Sequence, residues 1–371
     1  MYFYQLKEWP DFRWNSDILL SHVSRVRDLQ GRLIGRMEGL GFDLREEAML
    51  ITLTEDILKS SEIEGEFLNA VEVRSSVARG LGMDIAGLTV SGRDVDGVVE
   101  MMLDATQNFQ EALTNKRLFE WNAALFPAGR NGKNRISVGA WRDDSEGPMQ
   151  VVSGAIGREK VHFVAPDAAN LEMEMDRFIN WFNSDQSMEA VIKSAVAHIW
   201  FVSIHPFDDG NGRIARAIAD MQLARADKSG QRFYSMSSQM LKSKNGYYSI
   251  LESTQKGSLD ITHWLVWYLE RMMEALSITE ETLSKILFKA HFWEIHKNKI
   301  LNERQKDMLN KLLGDFNGKL TSSKWGKMTK VHRDTARRDI HDLIEKGVLQ
   351  DSGEGGRSTN YILIGNRNVQ F

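Results

Sequence analysis

Residues 203–216 read "SIHPFDDGNGRIAR" and lie between two apolar, helix-like segments, "AVIKSAVAHIWFV" (190–202) and "IARAIADMQLARA" (214–226). The stretch therefore joins two helices, and it carries more chemistry than a turn requires. Gly210-Asn211-Gly212 can hold positive φ at successive positions, so that backbone N–H groups converge into an anion-binding nest. The following helix points its N-terminus at the same spot, where the dipole favours negative charge. Arg213 and Arg216 lie three apart on that helix and share a face. The expected product is a polyphosphate cradle. Asp209, just before the nest, is placed to hold Mg²⁺, which binds through few carboxylates plus phosphate oxygens. His205 offers a base that titrates near neutrality. Together these groups suit transfer of a phosphorus-containing group to an acceptor hydroxyl. Asp208 reads as an exposed turn residue.

The rest of the chain sets the frame. Its 371 residues allow two or three domains. A net charge of −4 excludes a globally basic nucleic-acid binder, but it is unevenly spread. Residues 297–371 hold 15 Lys+Arg against 9 Asp+Glu, a net +6, and the remainder is −10. With no cysteine there are no disulfides, thiolate metal sites or thiol nucleophile. The start, "MYFYQLKEWPDFRWN", does not read as a signal peptide, and no apolar run approaches the ~18 residues that span a bilayer. A cytoplasmic protein with no membrane contact is expected.

Five prolines and long Ala/Leu/Met/Glu/Lys stretches predict a mainly α chain. Apolar residues at three- and four-residue spacing predict helices over 17–40, 45–64, 94–113, 116–127, 168–183 and 188–203, with further ones after the loop. Between them, "MQVVS" and "VHFVA" flank a Gly-containing polar tip and predict a β-hairpin at about 149–165.

The run "HPFDDGNGRIAR" (205–216) resembles the signature of Fic-domain proteins, HxFx[D/E]GNGRxxR, at every signature position. The resemblance implies a helical bundle core with a β-hairpin flap over 116–290, after an N-terminal helical region (1–115). It also implies a protein adenylyltransferase that moves AMP from ATP to a Ser, Thr or Tyr hydroxyl of a target protein. His205 would be the base and Asp209 the Mg²⁺ ligand. Gly210, Asn211, Gly212 and Arg213 would seat the α- and β-phosphates, Arg216 the γ-phosphate, and Phe207 would be a buried anchor. The 149–165 hairpin sits where such proteins carry a flap that docks the target by strand addition. "GYYSILESTQ" (246–255) resembles the segment closing over adenine, with Tyr248 as an aromatic wall and Gln255 as a polar contact. In the Trp-x-x-x-Leu-Phe-Pro segment many relatives have histidine after the tryptophan; here it is Asn122, expected to be remote from catalysis.

A second motif answers the first. "KSSEIEGE" (59–66) closes a predicted helix, with Ser60 and Glu64 on one face. Glu64 falls in the last turn, where the macrodipole disfavours an acid, and Gly65 is a natural C′ residue. Ser60-x-x-x-Glu64-Gly65 resembles the inhibitory motif [S/T]xxxE[G/N] of autoinhibited Fic proteins, on a helix at about 45–65. By that resemblance Glu64 pairs with Arg216, Ser60 orients Glu64, and ATP binds with its α-phosphate misplaced. "YQLKEWPDFRWN" (4–15) is similar to the N-terminal region of a bacterial branch of that subclass.

The basic tail, 297–371, has the order of a winged helix-turn-helix. Three short helices, the first with an Asn302/Gln305 cap pair, precede two strands around a Gly-rich tip. The third helix carries Arg333, Arg337 and Arg338, with Lys324, Lys327 and Lys330 upstream, so DNA is the expected partner. Protein docking is the alternative use. Two other readings of the whole chain stay open. One is a Fic enzyme that removes AMP or transfers another nucleotide group. The other is a DNA-binding regulator whose Fic domain senses nucleotide. Self-association into a homo-oligomer is also left open.

Overall fold

The structure, a computed structural model, describes all residues except 40–41, 84–87, 132–133, 146, 155–157, 185–187, 314–315, 317, 353–358 and 365–371. The chain divides into two compact units, Met1–Thr279 and Glu280–Phe371. After a one-turn 3-10 helix (Phe3–Gln5) come α1 (Ser16–Glu38), α2 (Phe42–Ile63), α3 (Ala70–Gly80), α4 (Arg93–Gln107) and α5 (Asn115–Leu125). Two antiparallel hairpins follow: β1 (Arg130–Asn131) with β2 (Asn134–Arg135), and β3 (Gln150–Ser153) with β4 (Lys160–Val164). Then come α6 (Leu171–Asn183), α7 (Ala190–Ile204), α8 (Asn211–Asp227), α9 (Met236–Lys242), α10 (Lys244–Gln255) and α11 (Thr262–His296), which carries the division between the units. The second unit continues with α12 (Glu303–Leu312), α13 (Ser322–Thr329), α14 (Arg333–Glu345) and the hairpin β5 (Leu349–Asp351) with β6 (Tyr361–Leu363). The chain is mainly helical, as its composition predicts.

Sequence explains where the helices start and what they bury. Every residue from Val191 to Ile204 is buried, so the largely apolar α7 is the central helix of the first unit. The Glu189 side chain caps it by accepting from Val191 N and Ile192 N at 2.7 and 2.9 Å, and Asn15, Asn69 and Thr114 cap α1, α3 and α5 in the same way. Around α7 pack α6 and α8, while α2, α4 and α5 close on α8. The long α11 runs on to His296 because neither Gly nor Pro interrupts residues 262–296. The β1–β2 pair was not anticipated.

The N-terminal segment joins this core through aromatic rings. Phe3 lies 5.0 Å from Trp9 between centroids, Trp9 meets Trp200 of α7 edge-on at 6.1 Å, and Trp9 Nε1 donates to Glu174 at 2.9 Å. Tyr2 meets Phe163 of β4 edge-on at 5.0 Å. The base of the β3–β4 hairpin thus rests on residues 2–4.

In the second unit Met308, Leu309, Trp325, Ala336, Ile340, Leu343, Leu349 and Leu363 form one apolar core, with Ile344 partly buried beside it. Asn302 and Gln305 form a reciprocal capping box at the start of α12.

Candidate active site

The loop begins with a residue in an unusual conformation. His205 caps α7 in the left-handed region, at φ 52° and ψ 57°, which costs a non-glycine residue about 1–2 kcal/mol. Pro206 follows and disfavours right-handed helix at the residue before it. Three hydrogen bonds hold the turn: His205 N to Phe201 O at 3.0 Å, Arg142 Nε to His205 O at 2.8 Å, and Arg142 N to Pro206 O at 2.9 Å. On the ring, Nδ1 lies 3.2 Å from Val202 O. A carbonyl only accepts, so Nδ1 carries the proton and Nε2 keeps its lone pair. Burial of the ring pushes the His205 pKa down to about 4, against a smaller upward pull from the Val202 carbonyl. The imidazole is therefore neutral at ordinary pH, as a base must be.

Asn211 closes the loop on itself. Its Oδ1 accepts from Phe207 N at 3.0 Å and its Nδ2 donates to Phe207 O at 2.8 Å. Its side chain is thus committed to the loop, which leaves its backbone N–H for the anion role expected of it. Phe207 is fully buried, with ring centroids of Trp141 at 5.1 Å and Phe201 at 6.5 Å. Gly210 sits at φ 86°, where a Cβ would press on the Phe126 ring. The first backbone bond of α8 is Ile214 N to Gly210 O at 3.0 Å. The N–H groups of Asn211, Gly212 and Arg213 therefore have no acceptor within the helix, which makes this helix start an anion site.

Asp209 is half-buried. Its Oδ1 accepts from Gly210 N and its Oδ2 from the Asn131 amide, while Asn122 Nδ2 donates to its carbonyl at 3.2 Å. Asn122 Oδ1 also accepts from Gly139 N at 3.0 Å. The expectation that Asn122 is remote from the site is thus corrected: this fully buried amide braces the backbone of the proposed metal ligand. Asp208 is corrected as well, being half-buried and accepting from Ser137 N at 2.8 Å.

The end of α2 closes over the cradle. Gly65 N bonds Glu62 O at 3.1 Å and Glu66 N bonds Ser61 O at 3.0 Å, the paired closures of a Schellman turn, with Gly65 at φ 85°. Glu64 Oε1 lies 2.8 Å from Arg216 Nη2 and directly over Gly212, where a Cβ would collide with it. Arg216 is 2% exposed. Burial acts to lower its pKa, but Glu64 beside it raises it overall, so the guanidinium is firmly charged. Arg216 Nε and Nη2 also donate to Ser60 Oγ and Ser60 O, both at 2.8 Å. Ser60 was expected to orient Glu64; it holds the arginine instead. Arg213 pairs with Glu66, which sequence reading missed although Glu66 follows Gly65 directly, and it lies 5.0 Å over the Phe126 ring. Among the described residues, buried Arg213 Nε and Arg216 Nη1 have no hydrogen-bond acceptor.

The adenine-side residues divide. Tyr248 is 40% exposed and its hydroxyl donates to Ile63 O, at the end of α2, at 3.2 Å. Gln255 is only 5% exposed and its amide donates to Ser203 Oγ of α7 at 3.0 Å. The buried amide is thus engaged with α7, and its expected contact with a base edge is not supported by this geometry. On the flap, His162 of β4 bridges Ser153 Oγ at 2.6 Å and Glu252 of α10 at 2.7 Å. Among the described residues β3 pairs only with β4. A groove of about 830 Å³ lies beside it, lined by Arg135, Ser137, Asp143, Met149, Gln150 and Asp208. In the second unit, Arg333, Arg337 and Arg338 are all exposed on α14.

No described helix is long and apolar enough to cross a membrane. Two known families match the chain. Residues 2–83 match a domain of unknown function, DUF4172, and residues 112–223 match the Fic/DOC family. A protein adenylyltransferase Fic of Culex quinquefasciatus is 31% identical over 177 residues, 46% of this chain and 32% of that protein. One of Aedes aegypti is 30% identical over the same length, and one of Drosophila grimshawi is 45% identical over 65 residues. The alignment thus spans about a third of the first two relatives. Among solved structures, a Fic family protein from Desulfovibrio desulfuricans superposes with a TM-score of 0.51 at 18% identity, covering 94% of this chain and 97% of that one. A Fic domain containing signaling protein from Bacteroides thetaiotaomicron gives 0.52 at 18%, covering 70% and 95%. These likenesses show the fold, and with the family match and the motif they lead to one statement: the chain carries a Fic/DOC family domain.

Proposed function

We propose that this chain is a Mg²⁺-dependent protein adenylyltransferase held in check by the end of α2. The observation that carries the reading is His205, whose Nδ1 faces the Val202 carbonyl and so leaves Nε2 unprotonated, beside a helix start that holds two buried arginines and three N–H groups with no acceptor within the helix. A polyphosphate lies where those donors converge, and a target hydroxyl presents its proton to His205 Nε2. The hydroxyl oxygen then attacks the α-phosphorus, the bond to the β-phosphate oxygen breaks, and pyrophosphate leaves with its new charge on Arg213 and Arg216. Relatives named protein adenylyltransferase Fic support the choice of AMP as the transferred group.

Asp209 fits the expected magnesium ion. It offers a hard-oxygen carboxylate whose side-chain partner among the described residues is the neutral Asn131 amide, and Mg²⁺ typically takes one or two carboxylates and fills its sphere with water and phosphate. When bound, the ion would offset phosphate charge. The open edge of β3 and the adjoining groove suit a target segment added as a strand. Glu64 on Arg216 supports restraint, because a γ-phosphate needs the same guanidinium.

The test uses ATP radiolabelled on the α-phosphate, with the wild type, Glu64→Gly and His205→Ala. Label should pass to protein, increase with Glu64→Gly and disappear with His205→Ala. Label that moves only from the γ-phosphate would indicate phosphorylation instead. If Glu64→Gly abolishes turnover, the reading in which Glu64 directs water to remove AMP takes its place.

For residues 297–371 we propose a winged helix that binds duplex DNA, on the strength of three exposed arginines on one helix of a small independent core. Binding of the full chain to mixed duplex fragments should weaken with salt, and each phosphate contact removed should lower the slope by about one. Absence of any shift at low salt would favour protein docking.

A further inference from the structure

Glu66 lies on Arg213 as Glu64 lies on Arg216. The Schellman turn makes this possible. Glu64 and Glu66 flank left-handed Gly65, and both carboxylates reach α8, one turn apart, at the two side chains that line the start of the helix. The position of Glu66 is otherwise unfavourable. It is partly buried, and its other charged neighbours, Asp209, Glu64 and Asp94, are all acids. An acid crowded by three acids is retained there by its ion pair with Arg213. Arg213 in turn is fixed from its other side by the Phe126 ring.

We infer that Glu66 is a second occluding carboxylate, and that the turn ending α2 imitates two phosphates and so excludes the polyphosphate of ATP from the cradle. This deepens the proposed function and rests on that reading of the cradle. It differs in kind from a single-acid restraint. With Glu64 alone, ATP can enter and lie with its α-phosphate out of line. With both arginines occupied, entry itself competes with the turn, and apparent affinity falls by the fraction of molecules that are open.

Calorimetric titration with ATP and with adenosine, on the full chain, separates these cases. Glu66→Gln is nearly isosteric and removes the charge. It should tighten ATP by about fivefold or more, the gain expected if the open fraction rises by that factor, and leave adenosine, which has no phosphates, within twofold. Glu64→Gly should also tighten ATP, and the double variant should exceed either. In an Arg213→Ala background Glu66→Gln should give no gain. The inference is overturned if Glu66→Gln leaves ATP affinity unchanged or weaker while thermal melting shows the variant folded. It also falls if adenosine gains as much as ATP, since the effect would then not lie at the phosphates. Arg216→Ala is the control for the underlying reading. If it binds ATP as well as the wild type, the cradle is not the phosphate site and the proposed function fails with it. If it loses ATP while Glu66→Gln gains none, only the second carboxylate is wrong.

Discussion

Ser60 Oγ accepts a hydrogen bond from Arg216 Nε at 2.8 Å, so the serine of the α2 motif grips the arginine rather than its neighbouring glutamate. Ser60 and Glu64 are then parallel contacts to one guanidinium. Glu64→Gly should raise auto-modification by about tenfold or more if the closed state is favoured by at least ~1.4 kcal/mol. Ser60→Ala should raise it by less, because the Ser60 carbonyl still accepts from Nη2. Neither change should matter in an Arg216→Ala background, since all act through one side chain. A Ser60→Ala effect equal to that of Glu64→Gly would mean the hydroxyl, not the carboxylate, is the main restraint.

The His205 ring gives a pH prediction. Its pKa is held near 4 by burial, below the ordinary value of about 6.5. The base is therefore already unprotonated across the neutral range. The acid limb of kcat/KM should fall below pH 6, with no inflection near 6.5. The same shift bears on stability: a histidine held neutral in the fold stabilises it above the unfolded pKa, and that contribution fades as pH falls from about 6.5 toward 4. A kcat/KM profile that halves near pH 6.5 would contradict a base whose pKa is held down in this way.

Much of this was legible from single runs of residues. The loop at 205–216 fixes helix ends, nest and arginines within twelve positions, and Ser60-x-x-x-Glu64-Gly65 fixes both a helix terminus and a charged partner. The capping box at Asn302 was legible for the same reason, because caps are local. The misses are contacts made across the chain. Arg142 reaches His205 over 63 positions, and Asn122 reaches Asp209 over 87. Nothing near either residue announces its partner. Gln255 shows the opposite failure, in which a polar side chain in a helix next to the site turned to a buried serine.

Arg142 should behave as a positioning residue. Its side chain is fully buried and donates to His205 O, Pro166 O and Asp144, joining the left-handed turn to the end of the flap. Arg142→Lys keeps a charge but loses the fork geometry. It should lower kcat for transfer by about tenfold or more, the scale of a misplaced catalytic group, while ATP affinity stays within twofold. If calorimetry shows ATP affinity falling in step with kcat, the residue supports the cradle as a whole rather than His205.

Asp56 and Asp220 give the last prediction. Asp56 lies four residues before Ser60 on α2 and Asp220 four after Arg216 on α8, so they continue the same line of contacts between the two helices. Asp56 Oδ1 accepts from Ser235 Oγ at 2.5 Å and Ser237 N at 3.1 Å, while among the described residues its buried Oδ2 has no amide or hydroxyl donor and is left to the Asp220 carboxyl. Asp220 Oδ1 accepts from Arg232 Nη2 at 2.7 Å. The other charged or titratable groups at hand are Asp227 and Tyr234, which share Arg232, and Tyr268. Two buried carboxyls facing each other need one proton between them. Burial first, and then the charge of Asp56, raise the Asp220 pKa well above the ordinary carboxylate range, so it carries that proton. The sign follows from linkage. A carboxyl whose folded pKa lies above its unfolded value of about 3.9 stabilises fully below that value, and the contribution is lost as pH rises through the folded pKa. The thermal midpoint should therefore decline from pH 6 to pH 9. Asp220→Asn, which supplies a permanent donor to Asp56 Oδ2, should flatten the decline. Because the pair joins α2 to α8, auto-modification should also rise more steeply with pH in the wild type than in Asp220→Asn. Equal pH slopes for the two proteins, in melting and in auto-modification, would show that the pair carries no proton across this range and plays no part in holding α2 closed.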